Sequence, residues 1–212
     1  MIKQYRKLRV MNMNKRMGKI GSAVAGLSGL CFAVCMLLQF DFGSYLVCMF
    51  LAIGYLMMVS GFYAECGQDR RALGILSVTF AGIYATLILL VYFTQTTTVR
   101  LDSLNETALQ ILDYKKFGLF FNLDLLGYGM MALSTFLIGL TICAVKKRDQ
   151  WLKILLMVHG IFFVSCFSMP MLGIFSAEAN GADWMGILVL ELWCAYFLPI
   201  TILSYLHFND KG

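Results

Sequence analysis

TQTTTVRLD, residues 94–102, opens the longest polar interruption in this chain, and apolar sequence resumes at FFNLD, residues 120–124. The segment LLGYGMM, residues 125–131, continues an apolar run that stops at KKR, residues 146–148. An α-helix needs about 20 apolar residues to cross the hydrocarbon core of a bilayer. The stretch 94–145 therefore predicts a polar excursion outside a membrane, followed by a membrane-spanning helix.

The composition of the whole chain is typical of a membrane protein. Its 212 residues are 60% hydrophobic and 14% charged, and the mean hydropathy is +0.77. A soluble domain of this size could not cover so much apolar surface. We therefore expect one domain that is surrounded by membrane lipids.

Residues 1–19 form a basic N-terminal segment with seven Lys and Arg residues and no acid. Such a segment would also suit nucleic acid, but it directly precedes an apolar run, which favours a cytoplasmic anchor attracted to anionic lipids. We predict no nucleic-acid partner. A signal peptide is the competing interpretation, but the run 20–39 is longer than a signal core and leads straight into another span, which predicts a retained helix.

The apolar runs predict an all-α bundle of six transmembrane helices in a single domain, residues 20–206. The predicted spans are 20–39, 45–63, 72–93, 124–145, 151–175 and 184–206. Pro170 predicts a kink in the fifth span, because proline removes a backbone donor and clashes with the preceding turn. The tail 207–212 follows the sixth span.

The excursion, residues 94–123, is predicted to form an external loop or lid that contains a short amphipathic helix. Ser103 and Glu106 have the spacing of a capping box, in which each side chain satisfies a free backbone amide. Apolar residues then recur at helical intervals, at Leu104, Ala108, Ile111 and Leu112. This pattern is typical of a helix that lies on the membrane surface or over the bundle.

The distribution of basic residues predicts the topology. The segments 1–19, 65–71, 146–153 and 207–212 hold fourteen of the seventeen Lys and Arg residues. Positive charge concentrates on the cytoplasmic side of membrane proteins. We therefore predict a multi-pass protein of the cell membrane with both termini in the cytoplasm and the excursion outside.

Part of the chain resembles a known family. The segments IYAT (83–86), VYF (91–93) with Gln95, Val99-Arg100 and LDLLGY (123–128) together look like a family of prokaryotic six-helix integral membrane proteins. The resemblance covers about residues 72–145 and contains no catalytic motif. It implies the six-helix topology, and because the family has no assigned function, it implies none for this chain.

Ionisable residues within apolar runs are candidates for function, because burying charge in a bilayer is costly. Glu191 lies within the sixth predicted span, and a protonated structural carboxyl is its alternative interpretation. Asp124, with Asn122 beside it, lies at the predicted outer mouth of the fourth span, where the helix dipole alone could explain an acid. His159 lies within the fifth span, where a neutral ring that donates to a backbone carbonyl is the simpler interpretation.

The sequence favours neither a metal site nor a cofactor. The two histidines, His159 and His207, lie at different predicted depths, and the seven cysteines contain no C-x-x-C motif. The chain also has no G-x-S-x-G, H-E-x-x-H or P-loop motif. No catalytic residue is therefore predicted, and an enzyme is the less favoured class.

Three functions remain open. The leading hypothesis is binding or translocation of a small molecule through an outward-opening polar site. There Glu191 and Asp124 would contact a cationic or hydroxylated ligand, and aromatic walls would come from Tyr128, Trp193 and Tyr196. We expect Glu191 to matter more than Asp124, because Asp124 is placed nearer to water.

The two alternatives belong to other classes. One is a membrane enzyme that acts on a lipid or isoprenoid, with His159 and Glu191 exchanging protons. The other is a non-catalytic subunit of a larger membrane complex. Small residues spaced four apart, as in Ser22 and Gly26, would also suit a homo-oligomer, although packing within one chain is the favoured explanation.

The topology can be tested by cysteine labelling in a variant whose native cysteines are replaced. A cysteine placed at Asn105 should react with a membrane-impermeant maleimide on intact cells, because the excursion is predicted to lie outside. A cysteine placed at Gln150 should react only after lysis. The reverse pattern would contradict the topology.

Overall fold

The computed structural model describes the backbone of residues 2–175 and 182–210, and the side chains of residues 13–175 and 186–210. Within these ranges the chain is helical and contains no strand. The helices are α1 (Ile2–Leu37), α2 (Asp41–Glu65), α3 (Arg71–Thr94), α4 (Glu106–Leu112), α5 (Leu119–Thr141), α6 (Lys147–His159), α7 (Ile161–Met171) and α8 (Ala182–Asn209). A π-helical turn, Gln95–Val99, extends α3.

Six helical segments of the described chain are long and apolar enough to cross a membrane. They are Met13–Leu37, Asp41–Glu65, Gln68–Val99, Leu119–Thr141, Lys147–Met171 and Gly186–Asn209. Their number and order confirm the six membrane-length helices predicted from the sequence. The chain therefore has the architecture of a multi-pass membrane protein.

The fourth membrane-length helix, α5, begins at Leu119 rather than near Asp124. Phe117 adopts a left-handed conformation with a φ of 52°, and Gly118 is extended, so the chain turns sharply before the helix starts. Asp124 consequently lies beyond the first turn of α5. Its place is not explained by the free amides of a helix N-terminus, which the sequence had offered as a sufficient reason.

The fifth membrane-length segment is interrupted at Gly160, between α6 and α7. A Cβ atom on Gly160 would lie 2.8 Å from Cβ of Phe136 on α5, so only glycine allows the two backbones this approach. Pro170 lies near the C-terminal end of α7, where few residues follow it. The break therefore occurs well before the predicted proline kink.

Helix α4 exists, but its N-terminus differs from the prediction. The side chain of Asn105, not Ser103, caps it and accepts a hydrogen bond from the Ala108 amide at 2.9 Å. Leu112 packs against the core, whereas Ile111 is exposed. The capping box predicted at Ser103 is therefore wrong, because the helix begins only at Glu106.

The bundle is held together by a few helix pairs. Helix α1 packs against α2 and α8, and α5 packs against α3, α6 and α7. The backbones of α1 and α2 approach closely at Gly21 and Gly54, where a Cβ atom on Gly21 would lie 2.5 Å from the Met58 amide nitrogen. Small residues allow such contacts in lipid, where apolar side chains alone do not drive helices together.

The basic connectors lie at one end of the bundle. At this end Lys19 donates to the Asn209 side chain at 2.6 Å, and Lys146 and Arg148 pair with Asp210. At the opposite end, Lys115 of the excursion pairs with Asp41 at the start of α2. The charge count predicts that the first end faces the cytoplasm.

Replacing Gly21 with alanine should destabilise the fold, because the new methyl group would overlap backbone atoms of α2 that cannot move aside. Overpacking of this kind costs about 1–3 kcal/mol. Gly82→Ala on α3 is the matched control, because a Cβ atom there has no neighbour within 4 Å. Thermal unfolding in detergent should show a lower Tm for Gly21→Ala only, and equal Tm values would contradict the close contact.

Candidate functional site

The most unusual group in the bundle is the carboxyl of Asp124 on α5. Its side chain is 2% exposed, and its Oδ1 atom has no hydrogen-bond partner. Among the described residues, no Lys, Arg or His forms an ion pair with it. A buried carboxylate without compensation is costly, which marks this position as a candidate site.

Tyrosines from several elements surround this carboxyl. The hydroxyl groups of Tyr92 on α3 and Tyr114 in the excursion lie next to it. The ring of Tyr45 on α2 stacks on Tyr92, with centroids 5.4 Å apart, and meets Tyr114 edge-on at 6.1 Å. We call Asp124, Tyr45, Tyr92, Tyr114 and Tyr128 the Asp124 site.

Tyr128 lies one helical turn after Asp124 and completes the Asp124 site on α5. Its hydroxyl lies 3.7 Å from Sγ of Cys48, and its ring packs against that of Tyr84 at 5.6 Å. The hydroxyl of Tyr84 is buried and has no hydrogen-bond partner. The Asp124 site and the adjoining Tyr84 therefore contain two unsatisfied polar atoms within a mainly aromatic surrounding.

One buried glutamine holds the excursion over the Asp124 site. Gln95, at the start of the π-helical turn, donates to the Leu112 carbonyl at 2.7 Å and accepts from the Tyr114 amide at 3.1 Å. These two bonds hold the backbone that carries Tyr114. Burial raises the pKa of Tyr114, so its hydroxyl keeps the proton that it can donate to Asp124.

Two ion pairs on the surface contribute little to holding the excursion over the Asp124 site. Lys115 pairs with Asp41, and Lys116 pairs with Glu106 at 3.1 Å, where the hydrogen bond lowers the pKa of that carboxyl. Exposed pairs are weak because water and salt screen them. The position of Tyr114 therefore depends mainly on Gln95 and on aromatic packing.

A second cluster surrounds His159 at the end of α6. Nδ1 of His159 lies 2.8 Å from the Thr135 hydroxyl, and the indole N–H of Trp193 donates to Nε2 at 3.1 Å. Indole can only donate, so Nε2 carries no proton and Nδ1–H donates to Thr135. His159 is thus a neutral ring with both nitrogens occupied, and its Nδ1 partner is a hydroxyl rather than the expected carbonyl.

The other predicted aromatic residues belong to this second cluster. Tyr196 donates to the Leu155 carbonyl at 2.7 Å, and its ring stacks on His159 with centroids 6.0 Å apart. The edge of Trp193 meets Tyr128 at 5.3 Å. The two clusters therefore touch at this one aromatic pair.

Two predicted ligand-binding residues lie outside both clusters. Asn122 is exposed, although it lies only two residues before Asp124. Glu191 on α8 is half-buried, and its Oε1 atom has no hydrogen-bond partner. No described hydrogen bond or ion pair joins Glu191 to Asp124 or to His159.

Sequence reasoning missed most of the groups around Asp124, including Tyr45, Tyr92, Tyr114 and Gln95. Tyrosine in a membrane protein is common near the interface, so each position alone carried no signal. The available signal was the coincidence of a buried acid with tyrosines at the ends of three neighbouring apolar runs. Whether these residues form a site depends on how the helices pack side by side.

No group of three or more His, Cys, Asp or Glu side chains in the described part of the chain could hold a metal ion. Comparison of the chain with models of protein families, with curated proteins and with solved structures finds no match. The assignment of function therefore depends on the chemistry of the Asp124 site.

Replacing Trp193 with phenylalanine should destabilise the fold, because Nε2 of His159 would lose its donor inside the bundle. An unsatisfied buried acceptor costs about 1–3 kcal/mol. Trp151→Phe is the matched control, because the Trp151 side chain is exposed. Thermal unfolding should show a larger loss for Trp193→Phe, and equal losses would contradict the role of this hydrogen bond.

Proposed function

We propose that the protein binds a small organic cation at Asp124 in exchange for a proton, and that this exchange is one step in moving the cation across the membrane. The observation that carries the proposal is the buried Asp124 carboxyl, which has one free oxygen and no basic partner in the described chain. An acid with these properties can accept either a proton or a cation.

The energetics favour exchange over permanent charge. An isolated carboxylate in an apolar environment is destabilised by many kcal/mol, so it takes up a proton when no cation is present. A bound cation balances the negative charge of the carboxylate, so the proton can leave. The charge of the site is then the same before and after binding, because one positive charge replaces another.

The tyrosines favour an organic cation as the ligand. Aromatic rings attract cations through the negative charge of their faces, and the interaction strengthens when water is excluded. The hydroxyls of Tyr92 and Tyr114 can donate to the carboxylate once its proton has left. An alkylammonium ion is therefore the ligand class that suits an acid with aromatic neighbours.

The outer end of the bundle, as predicted by the charge count, supplies the route of entry. Asp124 lies near the N-terminal end of α5, directly below the excursion, and Tyr114 covers it. Displacement of the segment 112–116 would open the carboxyl toward that side. Because Gln95 holds this segment by two hydrogen bonds, we propose that it controls access.

The alternatives receive less support from the contacts. A lipid-modifying enzyme would need His159 to exchange protons with Glu191, but both ring nitrogens of His159 already have partners. An accessory subunit would need a surface for its partner, and the exposed apolar side chains of α6 and α7 are equally what lipid requires. Neither alternative uses the buried acid of α5.

Binding can be tested by a thermal-shift screen of the purified protein with alkylammonium ions of increasing size and with polyols as uncharged probes. We expect at least one cation, and no polyol, to raise the Tm. Calorimetry in buffers of different ionisation enthalpy should then show about one proton released per cation bound, because one acid provides the exchange.

Asp124→Asn should abolish both binding and proton release, because the amide keeps the shape but cannot carry charge. Glu191→Gln is the matched control and should leave both unchanged, which reverses the ranking expected from the sequence. If Asp124→Asn binds the cation with wild-type affinity, or if no cation stabilises the wild-type protein, the proposal is wrong.

A further inference from the structure

His207, near the C-terminal end of α8, joins three helices at the end of the bundle opposite the Asp124 site. Its Nδ1 atom lies 3.0 Å from Oδ1 of Asp149 on α6, and its Nε2 atom lies 2.9 Å from Oε2 of Glu65 on α2. The ring also packs between Phe62 and Phe208, with centroids 5.4 Å from each. This side chain is half-buried between two acids.

The chemistry of the ring makes this contact depend on a proton. A carboxylate oxygen only accepts hydrogen bonds, so both contacts need an N–H donor on the ring. Only the imidazolium form carries an N–H on both nitrogens. A neutral ring would leave one nitrogen lone pair facing a carboxylate, which loses one hydrogen bond and one ion pair.

Three basic side chains described at this end of the bundle already have partners. Arg148 lies 3.5 Å from Asp149 through its Nε atom and also binds Asp210, which Lys146 contacts as well. Hydrogen bonds from Arg148 and Lys146 hold the pKa of Asp210 below its usual range, so that carboxylate stays charged at any physiological pH. Lys19 of α1 donates to Asn209 rather than to Glu65 or Asp149.

We propose that His207 is a proton-dependent clamp that ties the ends of α2, α6 and α8 together when the ring is charged and loosens them when it is neutral. Histidine is the side chain that most readily changes charge between about pH 5 and 8. The clamp therefore stabilises the fold at low pH, and its contribution is lost as the pH rises past the point where His207 releases its proton. This inference does not depend on any ligand at Asp124.

The protonation state can be observed directly in the wild-type protein. The chain has two histidines, so ¹⁵N-histidine NMR of the full chain in lipid nanodiscs should resolve both. We expect His207 to give imidazolium shifts at pH 6 and to lose its proton in one step as the pH rises. His159 should remain the neutral Nδ1–H tautomer throughout, and a neutral His207 at pH 6 would overturn the proposal.

The energetic consequence is tested by comparing the wild-type protein with one variant. The wild-type Tm should fall by about 2–4 °C across the NMR transition, as expected when one modest interaction is lost from a chain of this size. His207→Gln, which cannot carry the charge, should lack this fall. Identical pH profiles of Tm for the two proteins would contradict the clamp.

Glu65→Gln provides a test that does not remove the histidine. The amide can donate to Nε2, so a neutral ring with its proton on Nδ1 would satisfy both contacts. The NMR transition of His207 should therefore move to lower pH in Glu65→Gln. An unchanged transition would show that Glu65 does not favour the charged ring, and the proposal would fail.

Discussion

The bundle depends on hydrogen bonds between side chains of different helices, because lipid offers no partner to a buried polar group. Ser77 on α3 and Ser134 on α5 each donate to the other's carbonyl, at 2.8 and 2.9 Å. Tyr55 on α2 donates to the Met131 carbonyl of α5 at 3.1 Å. Such contacts set the orientation of helices whose exposed sides are mostly apolar.

Helix α5 is the common partner in these contacts. It bonds to α2 through Tyr55, to α3 through Ser77 and to α6 through Thr135 and His159. The hydroxyls of Ser134 and Thr135 are buried and bonded to neighbouring helices, so they help to orient α5. The same helix carries Asp124, so the candidate acid is placed by a helix that is bonded to three neighbours.

Three buried oxygen atoms in the described part of the bundle have no hydrogen-bond partner. The side chains of Asp124, Tyr84 and Glu191 each leave a buried oxygen without a partner. Two of them, Asp124 and Tyr84, lie in one continuous group of aromatic residues together with Tyr128. The free oxygens of Asp124 and Tyr84 are therefore the atoms on which the proposed cation site rests.

The two histidines are titratable groups with different surroundings. Both ring nitrogens of the neutral His159 have hydrogen-bond partners, so this residue stabilises helix packing. His207 lies between two carboxylates, and only a charged ring can donate a hydrogen bond to both. Both are single histidines on apolar helices in the sequence. What distinguishes them is the identity of their partners, which come from other helices.

The sequence by itself determined the class of protein, the number of membrane-length helices and the presence of a short helix in the excursion. These properties depend on the length and polarity of consecutive residues, so local sequence contains the information. The capping residue and the start of α5 were missed by a few residues, because several polar side chains near each terminus could serve equally well.

Only the tertiary structure decided which polar residues meet. The sequence ranked Glu191 above Asp124 as a ligand, yet the acid that lies among tyrosines contributed by α2, α3 and the excursion is Asp124. The physical reason is that helices in lipid are oriented by contacts between residues distant in sequence, such as Gln95 with Tyr114 or Gly21 with Gly54. Hydropathy indicates that a residue lies in the membrane, but it does not indicate which neighbouring residue it faces.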